Sequence, residues 1–370
     1  MTIQHKFDFG IGEAAEGYIK IGAELGYSTS LGFGFLQQES SRISVKDRGE
    51  PDKLRRDFCI PLDAVFRVDV PSGVYTVHAL IGDAIIGTET TIKAGCGRLM
   101  VRRLRTSAGQ FIRHSFSVWV SDGRLELAFS GLAPRINALE IESAPQVRTV
   151  FLAGDSTVTD QPADGYPYAG WGQMLPYLLK HDAAVANFAL SGRSSKSFIG
   201  EGHLDKIWAE IKPHDILMIQ FGHNDQKPDE ERRTEPETTY KEYLKRYIDG
   251  ARERGAYPIL VTSVQRRYFE PDGTLTDTHG AYLTAMRELA ADEDVPLVDL
   301  AASSKRLFEE LGPEGTKSLL MWGAPGEFMN FPGGVEDNTH FQERGAIRIA
   351  ELVVEGLKEL QLKTMLLLLR

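Results

Sequence analysis

Cysteine is nearly absent from this 370-residue chain, with Cys59 and Cys96 its only two. Two thiols make no disulfide scaffold and no Cys-x-x-Cys pair occurs, so both are expected as small buried or half-buried thiols. Long apolar runs are missing too. No stretch approaches the roughly 20 residues that a membrane-spanning helix needs, and Met365 to Leu369 is expected only to cap a terminal helix. The start of the chain, Met1 to Phe9, lacks the continuous apolar core of a secretory signal, which points to the cytoplasm. Positive charge is in deficit: 42 Lys and Arg against 52 Asp and Glu leave a net charge of -10. That balance argues against nucleic acid and anionic membranes as partners, says little about a neutral ester, and leaves oligomeric state open.

The remainder is ordinary for a soluble globular protein, 42% hydrophobic and 25% charged, and long enough for two domains. The pattern divides it near residue 145, into 1–145 and 146–370. Upstream, short alternating runs are broken by turn residues. Phe66 to Val70 is followed by Pro71-Ser72-Gly73 and Val74 to Val77. Likewise Phe116, Val118 and Val120 share one face, Ser121-Asp122-Gly123 turns, and Leu125, Leu127 and Phe129 return. Such runs read as antiparallel strands joined by hairpins, Asp-Gly being a favoured hairpin turn, and predict an all-β, jelly-roll-like sandwich.

Downstream the rhythm changes. Val147–Leu152, Ala184–Leu190, Ile216–Phe221, Tyr257–Ser263 and Val295–Leu300 read as buried parallel strands, with helical patterns between them at Tyr240–Arg254 and Ala281–Asp292. This predicts a doubly wound α/β domain with a parallel five-stranded sheet and its site at the carboxyl ends of the strands.

Four short segments sit where that edge would collect them: Gly154-Asp155-Ser156-Thr157, Ser191-Gly192-Arg193-Ser194, Gly222-His223-Asn224-Asp225 and Asp337-Asn338-Thr339-His340. A serine hydroxyl needs a base to become a nucleophile and a carboxylate to orient that base, which Ser156, His340 and Asp337 can supply. The oxyanion formed by attack on an ester needs donors already in place, for which the backbone at Ser156 and Gly192 and the Asn224 amide are candidates. Asp337 and His340 come late, before a helix from about Glu343 to Leu360, so a loop must return them to the sheet edge, and one short turn can present both.

These blocks resemble the SGNH (GDSL-like) hydrolase superfamily, which carries Ser, Gly, Asn and a paired Asp and His in this order. The segments 192–198, 220–225 and 337–341 resemble its rhamnogalacturonan acetylesterase branch, and the likeness spans roughly residues 147–360. It implies a flavodoxin-like sheet, a catalytic Ser156, Asp337 and His340, an oxyanion hole at Ser156, Gly192 and Asn224, and hydrolysis of acetylated pectic oligosaccharides without a cofactor or metal. The Gly-x-Ser-x-Gly elbow of other esterases is absent. The aromatic, Gly-rich opening of the first half is similar to galactose-binding-like modules attached to carbohydrate enzymes, with support or sugar binding as the implied role.

Other residues near these blocks carry two readings each or a structural one. Asp155 reads as a backbone or helix-end ligand. His223 reads as a structural hydrogen bonder on the third-strand loop, and His279 lies in a polar segment that reads as an exposed loop. Arg193 and Lys196 are either surface charges or contacts for uronate carboxylates, with Arg266 and Arg267 as weaker candidates. Trp171, with Tyr166, Tyr168, Trp322 and Phe328, is either a sugar-stacking wall or core. Other readings stay open: an esterase or lipase for another acyl ester, a metal-dependent phosphoesterase using the Asp, Asn and His loops, and a carbohydrate-binding protein without catalysis.

Overall fold

The computed structural model describes residues 4–38 and 40–370, so Met1 to Ile3 of the N-terminal segment and Glu39 lie outside the described residues. The chain forms two compact units, Met1–Val147 with Leu179–Ala184, and Arg148–Leu178 with Val185–Arg370. The short segment 179–184 groups with the first unit, which a single cut in the sequence does not anticipate.

The first unit is a β-sandwich. One five-stranded sheet runs in the spatial order Phe111–Val120, Gly73–Gly82, Ala138–Ser143, Gln4–Phe9, Ile19–Ile21. The other runs Phe33–Phe35, Ala64–Asp69, Arg124–Ala133, Thr88–Ala94, Arg98–Thr106. Phe7, Phe9, Phe35 and Phe66 meet between them in edge-to-face contacts with centroids 5.1–6.0 Å apart, an arrangement that aromatic quadrupoles favour. Cys59 is buried in this core as expected, but Cys96 is exposed rather than buried or half-buried; both remain thiols.

The expected hairpins are not formed. Phe111–Val120 pairs with Gly73–Gly82, whereas Arg124–Ala133 pairs with Ala64–Asp69 and Thr88–Ala94. The Asp122-Gly123 turn, with Gly123 at φ 80°, therefore carries the chain from one sheet to the other, and the Pro71-Ser72-Gly73 turn does the same. Phe116, Val118, Val120, Leu125, Leu127 and Phe129 are all buried in one core, so the alternation marked inward faces correctly. It carried no information on which strands hydrogen-bond.

Downstream, β1 (Arg148–Gly154), β2 (Ala183–Asn187), β3 (Ile216–Gln220), β4 (Tyr257–Val261) and β5 (Leu297–Val298) form one sheet in the order β2-β1-β3-β4-β5. The β1–β3, β3–β4 and β4–β5 pairings are parallel. Every residue of β3 is buried, as parallel strands covered on both faces require. Helices α1 (Ser195–Gly200), α2 (His203–Glu210), α3 (Lys241–Glu253), α4 (Ala281–Asp292), α5 (Leu300–Lys317) and α6 (Glu343–Glu359) follow the strands. The apolar face of α3, Leu244, Tyr247, Ile248 and Ala251, is buried and packs on β3 and β4. Among the described residues no helix is long and apolar enough to cross a membrane.

A three-stranded antiparallel sheet is the element missed from sequence. It joins Tyr168–Ala169, β6 (Leu320–Gly323) and β7 (Val335–Gln342), so Asp337 and His340 arrive on a strand rather than a loop. The strand is interrupted where they stand. Leu320 pairs with Phe341 and Trp322 with Glu336, leaving Asp337 to His340 opposite Met321 alone. Such a bulge re-aims side chains.

Candidate active site

The order β2-β1-β3 places the topological switch of the sheet at β1, where open α/β sheets gather ligands. Ser156 follows β1, Gly192 follows β2 and Asn224 follows β3, so the nucleophile candidate is flanked by the two donor candidates. Ser156 is held on a tight turn: Val158 and Thr159 donate to the Asp155 carbonyl (3.1 Å each), and Gln161 Nε2 donates to the Ser156 carbonyl (2.8 Å). Gln161 left no mark in the sequence, since a glutamine five residues past a strand turn signals nothing.

His340 Nε2 lies 2.8 Å from Ser156 Oγ, and His340 Nδ1 lies 2.7 Å from Asp337 Oδ2. Asp337 Oδ1 also accepts from the Thr339 and His340 N–H groups at 2.7 and 3.0 Å. One carboxylate thus shapes the bulge and orients the imidazole with its two oxygens. Burial pushes the Asp337 carboxyl up, but His340 and these two N–H donors outweigh it and hold it below the ordinary carboxylate value. The side chains of His340 and Asp337 are 28% and 33% exposed, so the dyad is reachable from solvent. The Arg267 N–H pins the Asn338 carbonyl at 2.8 Å, and its guanidinium donates to Asn338 Oδ1 at 3.0 Å.

Gly192 has φ +83°, and a Cβ built there meets nothing within 4 Å. Its requirement is therefore conformational: the left-handed backbone disfavours a side chain, whereas the space beyond is open. Asn224 is 7% exposed and its Nδ2 donates to the Arg193 carbonyl at 3.1 Å, which leaves its second amide hydrogen for an oxyanion.

Two expectations need correction, those for Trp171 and His279. Trp171 is 1% exposed, with its indole N–H on Gln220 Oε1 at 2.8 Å. It is core, not a sugar wall, because Gly170 and Gly172 let the short helical turn Trp171–Met174 tuck against the Val158 and Thr159 backbone, where a Cβ would collide. Arg193 is committed to Glu201 through Nε and Nη2 and to the Ser191 carbonyl through Nη1, and Lys196 Nζ donates to the Glu230 carbonyl. Arg266 turns inward to Gln226, Thr278 and the His223 carbonyl. His279 is buried, not on an exposed loop: Nε2 meets the Val264 carbonyl at 2.9 Å and Nδ1 meets Gln226 Nε2 at 3.1 Å. Burial drives its pKa down to about 2. Of the other aromatics, Tyr166 is 54% exposed, and Tyr168 sets its ring edge to face against His340 at 5.0 Å. Burial pushes the Tyr168 phenol up, opposed by hydrogen bonding to Ser156 and Ser191.

Asp155 and Asp225, the carboxylates that a metal-dependent phosphoesterase would draw on here, are both 0% exposed and turned to protein donors. Asp155 takes Thr157 and His223. Asp225 takes the N–H and hydroxyl of Ser195 and the Thr234 hydroxyl.

Residues 152–346 match the GDSL-like lipase/acylhydrolase family, and residues 5–140 match the beta-agarase/YXIM esterase-like, galactose-binding domain-like family. The chain is 50% identical to a rhamnogalacturonan acetylesterase, RhgT of Bacillus subtilis, over 213 residues, 58% of this chain and 90% of that protein. It is 32% identical over 368 residues to the uncharacterized esterase YxiM of the same organism, covering 96% of this chain and 90% of that protein. The crystal structure of YxiM superposes with a TM-score of 0.54 at 30% identity, covering 98% of this chain and all of that one.

Proposed function

This chain belongs to the GDSL-like lipase/acylhydrolase family, and from that premise we propose that it removes acetyl groups from acetylated pectic, rhamnogalacturonan-type oligosaccharides by a Ser-His-Asp mechanism. The broader class, an acetylesterase of the rhamnogalacturonan acetylesterase type, is the one carried by its 50% identical relative. The observation that carries the mechanism is the unbroken run from Ser156 Oγ to His340 Nε2 at 2.8 Å and from His340 Nδ1 to Asp337 at 2.7 Å.

In the proposed cycle His340 takes the Ser156 proton as Oγ attacks the acetyl carbonyl. Asp337 stabilises the resulting imidazolium, and the N–H groups of Ser156 and Gly192 with the Asn224 amide receive the oxyanion. Collapse expels the sugar oxygen, which leaves with the proton from His340. Water then gives a proton to His340 and attacks the acetyl-Ser156 carbonyl, and release of acetate returns the serine. The first unit supports or binds carbohydrate in this scheme. Arg193 and Lys196 already serve Glu201, the Ser191 carbonyl and the Glu230 carbonyl, but a guanidinium has five N–H donors and an ammonium three, so both keep donors for a uronate as secondary substrate contacts.

The test is acetate release from a panel of acetylated pectic fragments, acetylated xylo-oligosaccharides and simple acyl esters. Pectic fragments are expected to give the highest kcat/KM, and Ser156→Ala to abolish turnover on all of them while the protein stays folded. Preference for a simple acyl ester would overturn the substrate, and near-normal turnover by folded Ser156→Ala would overturn the mechanism.

A further inference from the structure

Ser156 sits between two residues whose side chains the cycle above does not use, and both belong to one buried chain of hydrogen bonds. Trp171 Nε1 donates to Gln220 Oε1 at 2.8 Å, Gln220 Nε2 donates to Thr157 Oγ1 at 2.7 Å, and the Thr157 hydroxyl donates to Asp155 Oδ1 at 2.8 Å. The Thr157 N–H meets the same Oδ1 at 2.9 Å, and His223 Nδ1 lies 3.2 Å from Asp155 Oδ2. Trp171, Gln220, Thr157, Asp155 and His223 are each no more than 4% exposed. A buried carboxylate is tolerated when its oxygens are satisfied, and its direction is then set by its donors. Here the donors approach from both sides, Thr157 on one oxygen and His223 on the other.

The His223 end is immobilised in turn. Its ring meets His279 edge to face at 4.8 Å, and His279 is itself fixed through both ring nitrogens. Arg266 Nη2 donates to the His223 carbonyl at 3.2 Å. His223 Nε2 has no hydrogen-bond partner among the described residues, so the one polar bond of this ring is the one to Asp155. A ring kept for packing alone carries no reason to bury two nitrogens and leave one unsatisfied. The cost is offset if the Nδ1–H is needed where it points.

We propose that the buried chain Trp171–Gln220–Thr157–Asp155–His223 positions the nucleophile, with His223 as the positioning residue that fixes Asp155 and through it the aim of the Ser156 hydroxyl and N–H. The proposal rests on the reading of Ser156 as the nucleophile. The reason such a device matters is geometric, because a reacting atom displaced by a fraction of its contact distance loses much of the advantage of pre-alignment.

Three variants of the full chain test it. His223→Phe keeps a ring and removes the donor, His223→Asn restores an N–H near the Nδ1 position, and Thr157→Val keeps the side-chain shape while cutting the link between Gln220 and Asp155. Each is assayed for kcat and KM on a small acetyl ester, and for the rate at which an organophosphate modifies Ser156. His223→Phe and Thr157→Val should lose about 10- to 100-fold in kcat with KM changed by less than about threefold. The modification rate should fall in parallel, and His223→Asn should recover most of both losses. Parent-like kcat in folded His223→Phe and Thr157→Val, with a lowered Tm alone, would make the chain structural and overturn the proposal. So would a His223→Asn variant as slow as His223→Phe. If His223→Phe fails to fold, Thr157→Val carries the test. Ser156→Ala run alongside separates the two readings: an active Ser156→Ala removes the nucleophile itself, whereas an inactive one beside a parent-like His223→Phe removes only the positioning role.

Discussion

Asn224 is the one proposed oxyanion donor that a substitution can delete, since Ser156 and Gly192 contribute backbone N–H groups. Its amide is already anchored by the Arg193 carbonyl at 3.1 Å, so little reorganisation is needed when charge appears on the substrate. Asn224→Ala should therefore lower kcat by roughly a hundredfold or more, the scale of losing one such donor, while KM moves little. Steady-state kinetics on a small acetyl ester checks this, and a change confined to KM would make Asn224 a binding residue instead. At this scale the meeting of Ser156, His340 and Asp337 was legible because four ordered blocks carry complementary chemistry. Trp171 was not, because an aromatic between glycines reads equally as wall or core, and the partner that decides it, Gln220, is 49 residues away. His279 is hidden for the same reason: a polar segment suggests solvent, but the imidazole finds its two partners at Val264 and Gln226.

Between elements, Asp225 clips the loop after β2 to the loop after β3, because its carboxylate accepts from the N–H and hydroxyl that open α1 at Ser195. Burial raises its pKa to about 7, against the Ser195 and Thr234 bonds that pull it down and with Asp155 adding to the rise. Between the ordinary carboxylate value of 3.8 and about 7, the folded chain keeps a proton that the unfolded chain has released. The contribution of this group to stability therefore declines as pH rises through that window, and the loss is complete above it. Asp225→Asn has no such ionisation, so its Tm relative to the parent should move in the variant's favour from about pH 4 to about pH 8. A difference that stays flat across that range would show a carboxylate ionised throughout. The sheet that holds these loops was readable from its apolar runs, although β5 proved to be Leu297–Val298 alone. The strand carrying Asp337 and His340 was not readable, because a bulge of four polar residues has no period of two to detect.

For the whole molecule, the change from alternating runs to strand-helix rhythm near residue 145 located the two units, because the period of the pattern is set by the architecture each half must fill. Pairing within the sandwich stayed hidden: Leu125 and Phe116 face one core from different sheets, and inward alternation is the same whichever strands are neighbours. The proposed triad and donors and the Trp171–His223 chain all fall within Arg148–Leu178 and Val185–Arg370. Removal of residues 1–145 should accordingly leave small-ester kcat/KM within a few-fold of the parent, for truncated protein shown to unfold cooperatively. Stability should fall, since Leu179–Ala184 belongs to the first unit and would lose the residues it groups with. On acetylated oligosaccharide the same truncated protein should lose more in kcat/KM than on the small ester if the sandwich binds sugar. Equal retention on both substrates would make it a support, and loss of small-ester activity from a folded second unit would place part of the active site in the residues removed.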